Sequence, residues 1–421
     1  MVDPKLTKTM DVFEAYEKRF AQARVDKKLQ FPLEESQRED ICKRVKKMLA
    51  YREELIPTVH NFTELKHFDF GTYDVIPCRY ETWEKCYVSA TLYKPHAEGK
   101  HPVAFVFHGH GTQGRLTESY RSMCHRLAEC GFMVISPDNI GQGDREMMGH
   151  RFAHEPYYCG LNLQGMIIME SVALIRYMKN HPQADPDRMG SCGNSGAGTL
   201  NMFLCATAPE LAAIVATGYP SEFHYVLSKE RRHCTCNLIP GCCSSNLDMW
   251  EILSARAPKP LMIEQGLDDN LIPVDYFLRA SRKIDYVYEA LGVPENFRHT
   301  VAKNIGHSWT DTDIAYILEF LTEKLGVPYY FSEKNSVKDS NWEDLVVDMP
   351  EDARTTAQVA EAITGIKIPE NLQLQDLFPP MLNNEKVDPD TIIADLGRGE
   401  TMRIWAQMEC VLKEDEYHAF L

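Results

Sequence analysis

Short, wholly apolar runs alternate along this chain with longer stretches whose apolar residues recur every three to four positions. Val103 to Phe107 is apolar throughout, as a strand buried on both faces requires. Leu116 to Cys130 then reads as a helix, Phe132 to Ile135 as a strand, and Gly165 to Asn180 as a helix. Met189 to Cys192 predicts a strand, Gly196 to Thr207 a helix, and Leu211 to Thr217 a strand. Pro260 to Gln265 and Arg298 to Ala302 are further strands, separated by a helix from Tyr276 to Leu291. Asp311 to Gly326 closes the series as a helix. Ahead of it, Tyr73 to Thr82 and Cys86 to Leu92 read as paired strands rich in Tyr, Val and Thr. This order predicts an α/β fold with a mostly parallel central sheet covered by helices on both faces. Such sheets carry their chemistry at the C-terminal ends of the strands.

The flanks have a different pattern. Residues 1–67 are charged and helix-prone, and predict a helical lead-in. Leu29, Phe31 and Leu33 flank Pro32, and a helix is expected from Ser36 to Tyr51, where Ile41, Val45, Met48 and Leu49 keep a helical period. Ser36 followed by Glu39 matches a capping box. Past residue 327 the alternation stops. Phe331 to Leu421 carries 19 acidic against 8 basic side chains. It also holds Trp342, Leu345, Val346, Leu377, Phe378, Ile392, Ile393, Ile404 and Trp405, apolar anchors that a disordered acidic tail would lack. Three segments follow: a lead-in over 1–67, a catalytic domain over 68–327, and an ordered appendage over 328–421. The appendage is expected to pack on the core or on a second copy, making a homo-oligomer.

The chain has 421 residues and a formal net charge of −16. An acidic surface argues against nucleic acid and anionic membrane as partners. The most apolar stretch, Gly165 to Met178, is broken by Glu170 and Arg176 and falls short of a membrane span. Asp3, Lys5, Lys8, Asp11, Glu14 and Glu17 stand where a secretion signal needs an apolar core. The 13 cysteines are therefore expected as reduced thiols in a cytoplasmic protein. Cys205, inside an apolar run, reads as a small core residue. His233, Cys234, Cys236, Cys242 and Cys243 cluster in sequence but lack two separated ligand pairs, so they read as thiols lining a loop, with no metal expected.

Candidate chemistry concentrates at strand ends. Gly193-Asn194-Ser195-Gly196-Ala197 follows a strand and opens a helix. That is a nucleophile-elbow pattern, with Ala197 where a second glycine usually stands. Small neighbours let the serine adopt a strained turn that lifts its hydroxyl clear of the sheet. The N–H of Gly196, at a helix N-terminus, is placed to stabilise an oxyanion. The strand Val103 to Phe107 ends in His108-Gly109-His110-Gly111, which assigns the second oxyanion donor to the N–H of His110, while His108 braces the loop. A phosphate-binding loop is excluded because its spacing and lysine are missing. A serine needs a base and an acid that orients the base. Asp269, three residues after Gly266 and four before Pro273, is the expected acid, with adjacent Asp268 as the alternative. His307, between the last strand and the last helix, is the expected base. The order Ser195, Asp269, His307 is that of α/β-hydrolases. Tyr219, Trp250 and Trp309, with Phe223 and Tyr225, are candidate walls of the substrate pocket.

Residues 68–327 resemble an α/β-hydrolase, and more narrowly the acetyl xylan esterase-like branch near the dienelactone hydrolases. The resemblance rests on His108-Gly-His-Gly111, on Asp138-Asn-Ile-Gly-Gln-Gly-Asp-Arg-Glu146 and on Asp185-Pro-Asp-Arg-Met-Gly190. It rests also on His233-Cys-Thr-Cys-Asn-Leu-Ile-Pro-Gly241 and Ala255-Arg-Ala-Pro-Lys-Pro-Leu-Met262. It implies hydrolysis of small acyl esters, acetyl groups on sugars among them, with no cofactor. Dienelactone hydrolases use a cysteine nucleophile, so Ser195 argues against lactone cleavage. An amidase, peptidase or carbon–carbon hydrolase would use the same three residues. A non-catalytic binding protein on this fold would be expected to lack one of them.

Overall fold

The computed structural model describes residues 30–150, 153, 155–223, 234, 236, 237, 239, 247–303, 305–332, 334, 336–370 and 372. The acidic segment beyond 372, Tyr225, His233, Cys242, Cys243 and the first 29 residues lie outside them, as does the proposed C-terminal oligomer contact in so far as it uses that segment.

The sheet has ten strands: β1 (His60–Glu64), β2 (Phe68–Asp69), β3 (Tyr73–Glu81), β4 (Tyr87–Pro95), β5 (His101–Phe107), β6 (Met133–Pro137), β7 (Ala184–Asn194), β8 (Ala213–Thr217), β9 (Leu261–Gly266) and β10 (Phe297–Ala302). Their spatial order is β1-β3-β4-β6-β5-β7-β8-β9-β10, with β2 beside β3. Strands β1 to β4 are antiparallel to their neighbours, and β6-β5-β7-β8-β9-β10 run parallel. The mostly parallel sheet read from the sequence is present. The parallel strands read as unbroken apolar runs because both of their faces are buried. On one face lie α1 (Glu35–Met48), α4 (Leu163–Lys179), α5 (Gly196–Thr207), α6 (Met249–Ser254) and α7 (Val274–Ala290). On the other lie α2 (Glu118–Glu129) and α8 (Asp311–Lys324). Two short α-helices are α3 (Glu155–Tyr158) and α9 (Thr356–Thr364), and α9 buries Val359 and Ala360 in the core of the first face.

The lead-in differs from its expectation in two ways. Its helix α1 begins one residue earlier, and the N-terminal bond joins Glu34 N–H to Gln37 Oε1 at 3.0 Å instead of pairing Ser36 with Glu39. It also contains β1, an exposed edge strand whose alternation is too weak to read, so the sheet begins at residue 60. The end of α1 docks closely on α4. Asn162 Nδ2 donates to Met48 O at 3.1 Å, and Gly165 leaves room for the Leu49 carbonyl.

Between residues 334 and 345 the appendage lies on the α2 face, whereas Val359 and Ala360 are buried in the core of the opposite face. Arg115, Arg121 and Arg126 donate to the carbonyls of Leu345, Ser340 and Lys334 at 2.8, 2.7 and 3.1 Å. All three arginines are buried, and two of them, Arg121 and Arg126, are the charges that α2 carries on its covered face. Each guanidinium satisfies a backbone acceptor that would otherwise be stranded away from water. Val347 N–H donates to Asp144 Oδ2 at 2.9 Å, and Thr356 Oγ1 to Gly149 O at 2.6 Å. Of the expected anchors here, Leu345 is buried, whereas Trp342 and Val346 are exposed.

Gly165→Ala is expected to destabilise the protein by about 1–3 kcal/mol, because its methyl would overlap the Leu49 carbonyl oxygen in a packed interface. Thermal unfolding of the two proteins checks this. An unchanged melting temperature would mean that α1 is not seated on α4.

Candidate active site

Ser195 sits at the turn between β7 and α5 with φ 60° and ψ −118°. A non-glycine residue held there is strained and needs support. Its N–H donates to Thr217 O at 2.9 Å, tying the turn to β8. Gly193 is required because a Cβ there would stand 2.5 Å from the Cβ of Ala197 and 2.8 Å from Asn201 Nδ2. The methyl of Ala197, fully buried, therefore occupies space that only one of these two positions can fill.

The expected base and acid, His307 and Asp269, arrive from neighbouring loops. His307 Nε2 lies 2.6 Å from Ser195 Oγ, and His307 Nδ1 lies 2.7 Å from Asp269 Oδ2. The loops after β9 and β10 are bonded to each other through Leu267 N–H to Ala302 O at 2.8 Å and Asp268 N–H to Ile305 O at 2.9 Å. Asp269 is buried, and adjacent Asp268 is exposed, so of the two candidate acids the structure brings Asp269 to the imidazole. Asp269 also accepts from Gln265 Nε2 at 2.7 Å and from the N–H groups of Leu271 and Ile272 at 2.6 and 3.3 Å. Burial pushes its carboxyl up, but the His307 hydrogen bond and charge, the Leu271 N–H and the Gln265 amide outweigh this and hold it below the usual value. The arrangement suits an ionised acid that fixes the imidazole tautomer.

The strand-end loop after β5 meets the serine from the other side. A Cβ on Gly109 would stand 2.8 Å from both Asn194 O and Ser195 Cβ, so glycine permits the approach. The Gly109 N–H is engaged by Tyr120 Oη at 2.8 Å. Among the described residues no hydrogen bond occupies the N–H of His110. That of Gly196 is the first of α5 and has no intrahelical acceptor. His108 is buried: its Nε2 accepts from Asn139 N–H at 3.1 Å and its carbonyl accepts from Asn139 Nδ2 at 3.1 Å. It braces the loop, as its sequence position implied.

Several contributors were not legible in the sequence. Asn194 Nδ2 donates to His307 O at 2.6 Å, and Thr217 Oγ1 donates to Asn194 Oδ1 at 2.9 Å. Trp309 Nε1 donates in turn to Thr217 Oγ1 at 2.7 Å. This chain links the histidine loop to the elbow. Asn194 is the unspecified position of the elbow pattern, so the pattern itself carried no signal for it. Behind the β5 loop, Asp138 is enclosed by Arg115 and Ser89 Oγ, the latter at 2.7 Å. Burial raises its carboxyl, yet Arg115 and His108 bring it far below the usual value. Arg145 forms a bidentate pair with Glu170 at 2.7 and 3.0 Å and donates to Asp138 O at 2.9 Å, fastening the loop after β6 to α4.

Of the expected pocket walls, Trp309 is a buried donor that packs on Tyr120 at 5.3 Å between ring centroids. Trp250 is buried between Phe31, 5.3 Å away, and Lys283, in the core beneath α6. Phe223 is also core. Tyr219 lies close to the start of α5, where a Cβ on Gly198 would stand 3.3 Å from its own Cβ. The aromatic residues therefore serve mainly as packing, with Tyr219 nearest the elbow.

These features define an α/β-hydrolase with a serine-centred site. The sequence model of the acetyl xylan esterase family matches residues 30–234. The match includes Ser195 and ends before Asp269 and His307. The hydrolase-like protein YtaP of Bacillus subtilis (strain 168) is 25% identical over 223 residues, 50% of this chain and 74% of that protein. Methylesterase BT1017 superposes with a TM-score of 0.63 at 18% identity, covering 82% of this chain and 78% of that one. Acetyl xylan esterase 1 from Thermoanaerobacterium sp. JW/SL YS485 gives 0.50 at 19%, covering 68% and 93%. A glucuronoyl esterase from Solibacter usitatus gives 0.52 at 12%, covering 68% and 92%. The solved structures establish the α/β-hydrolase fold. The family match relates residues 30–234 to the acetyl xylan esterases. No helix among the described residues is long and apolar enough to cross a membrane.

Beneath Asp269, the buried Glu264 of β9 faces Asp313 of α8. Burial, then the Asp313 carboxylate, holds Glu264 well above the usual value. A carboxyl whose folded value is raised contributes stability below its unfolded value, and loses it as pH climbs through the folded value. Glu264→Gln should therefore flatten the alkaline fall of the melting temperature. Melting curves of both proteins across a pH series check this, and parallel curves would refute a raised Glu264.

Proposed function

We propose that the protein is a serine esterase that removes small acyl groups, acetyl first among them, from hydroxyls of carbohydrates. The observation that carries the reading is the continuous hydrogen-bonded path from Asp269 through His307 to Ser195 Oγ, with spacings of 2.7 and 2.6 Å, at a strained elbow. His307 accepts the Ser195 proton as Oγ attacks the ester carbonyl. Asp269 holds the imidazole with its proton on Nδ1 and stabilises the cation that forms. The N–H groups of Gly196 and His110 receive the developing oxyanion. Collapse of the tetrahedral intermediate passes the His307 proton to the departing alcohol and leaves an acyl-serine. Water, deprotonated by His307, then releases the carboxylic acid and restores Ser195.

The acetyl assignment takes support from the name of the family whose model matches. Methylesterases and glucuronoyl esterases share the fold, so the two sides of the ester are worth separating. An acetylated xylo-oligosaccharide places the small group on the acyl side, and a methyl ester of a uronic acid places it on the alcohol side. Faster turnover of the acetylated sugar is expected. Preference for the methyl ester would reverse the assignment of which side of the bond the sugar occupies.

Ser195→Ala should reduce turnover of p-nitrophenyl acetate by several orders of magnitude, on the scale of triad deletions, while the protein stays folded. Full activity in that variant would reject the nucleophile. Asp269→Asn should lower kcat by roughly 10⁴, because the imidazole is then held in the wrong tautomer. Asp268→Asn, altering an exposed carboxylate, should remain near wild type. Steady-state kinetics of both variants decide between the two carboxylates, and equal losses would contradict the geometry.

A further inference from the structure

A second constellation adjoins this site, and ester hydrolysis by the three residues does not use its side chains. His110 comes from the loop after β5, His150 from the loop after β6, and Cys234 and Cys236 from the segment after β8. One ligand-type atom from each lies within 4.8 Å of all the others. His110 Nε2 lies 3.1 Å from His150 Nε2 and 3.2 Å from Cys236 Sγ. With Zn–N near 2.05 Å and Zn–S near 2.3 Å, a tetrahedral zinc has N···N edges of about 3.3 Å and N···S edges of about 3.6 Å. These two separations need to open by only a few tenths of an ångström, and the other pairs lie within 4.8 Å.

The surroundings of the four side chains point the same way. His150 Nδ1 lies 2.6 Å from Ile140 O. A carbonyl can only accept, so Nδ1 carries the proton and Nε2 presents its lone pair, which the Gln142 amide also reaches at 3.2 Å and would give up to an ion. This is the second-shell arrangement that orients metal-binding imidazoles. His150 and Cys236 are buried, Cys234 is half-buried and His110 lies at the open side. The donor set of two imidazoles and two thiols suits zinc among the available divalent ions.

We propose that His110, His150, Cys234 and Cys236 bind one zinc ion in a closed, four-coordinate structural site. Binding releases the two thiol protons to solvent. The two thiolates then balance the charge of the ion, and the imidazoles stay neutral. Four protein ligands leave no open position, so the ion is not a Lewis acid for substrate. Its effect is mechanical: it fastens the segment carrying Cys234 and Cys236 to the loops after β5 and β6, which are already bonded to each other through His108 and Asn139. One of them carries the His110 N–H, and coordination through Nε2 places the remaining His110 proton on Nδ1. That edge lies against the elbow, since a Cβ on Gly196 would stand 2.8 Å from His110 Nδ1. The zinc would thus hold one oxyanion donor at a fixed distance from the nucleophile. This last consequence rests on the esterase reading; the metal site itself does not.

The Cys-rich run is by itself an incomplete ligand set. The run supplies only two ligands, and the other pair comes from loops about 80 to 120 residues upstream that the sheet brings alongside.

The test uses the full chain purified under reductant, dialysed against zinc and then against zinc-free buffer, with metal measured by plasma mass spectrometry. One zinc per chain is expected in the wild type and in Ser195→Ala, and under a tenth in the Cys234→Ser/Cys236→Ser double variant. Replacement of zinc by cobalt should give a thiolate-to-cobalt charge-transfer band and tetrahedral ligand-field bands, both absent from the double variant. Removal of zinc should lower kcat for p-nitrophenyl acetate by up to roughly a hundredfold with little change in KM, and zinc should restore it. Wild-type protein retaining under a tenth of an equivalent would overturn the proposal, as would full zinc content in the double variant. A Cys234–Cys236 disulfide in the reduced protein, detected by intact mass, would do the same. Zinc bound to Ser195→Ala with an inactive wild type would separate the metal site, which would stand, from the esterase reading, which would fall.

Discussion

The site depends on one strained turn. Ser195 is held at a positive φ that its side chain disfavours, and nothing within the pentapeptide alone would keep it there. Support comes from outside: the Thr217 carbonyl takes the Ser195 N–H, and the backbones of the β5 loop and of α5 close in wherever glycine lets them. Because β7 and β8 pair Asn194 with Thr217, the same register that holds the turn also aligns Asn194 with the His307 carbonyl. The Ser195 turn and the His307 loop are thereby joined through the sheet as well as through the loops. Preorganisation of this kind lets the hydroxyl and imidazole meet without an ordering cost at the moment of reaction.

A second constraint runs through buried charge. Arg115, Arg121, Arg126 and Arg145 are all in the interior, and burying a guanidinium is tolerable only when acceptors meet it. Three of them are met by carbonyls of the C-terminal segment, and Arg145 is met by Glu170 and Asp138 O. The loops after β5 and β6 are therefore tied into the body of the protein by charge-assisted bonds. The appendage over residues 336–370 is part of that framework. Removing it would uncover arginines built to be covered, which makes it a structural layer of the hydrolase core in the described region.

Much of the active site was legible because its chemistry is local. A serine flanked by glycine and alanine between a strand and a helix, a carboxylate after a glycine-ended strand, and a histidine before the last helix each leave a short-range trace. The helix from Gly196 to Thr207 was readable to the residue, since the elbow pins its start. The edge strand β1 was not, because a strand exposed on both faces has no apolar alternation to show. The placing of Trp250 and Trp309 was not legible for a related reason: an aromatic residue in a loop-rich stretch looks the same whether it lines a cleft or fills a core. Only the packing of Phe31 on one and the Thr217 hydroxyl on the other separates the cases.

Sequence alone determined the alternation of strand and helix, the order of the three residues now in line, and the small side chains the elbow demands. These follow from periodicity and from backbone conformations that few residues can adopt. Tertiary structure decided which of two adjacent aspartates reaches the imidazole, how Asn194 joins two loops, and why helix α2 carries buried arginines. It also decided that two histidines and two cysteines from three loops share one small volume. Each of these depends on contacts between segments tens to hundreds of residues apart, and such contacts exist only once the sheet has set its strand order and register.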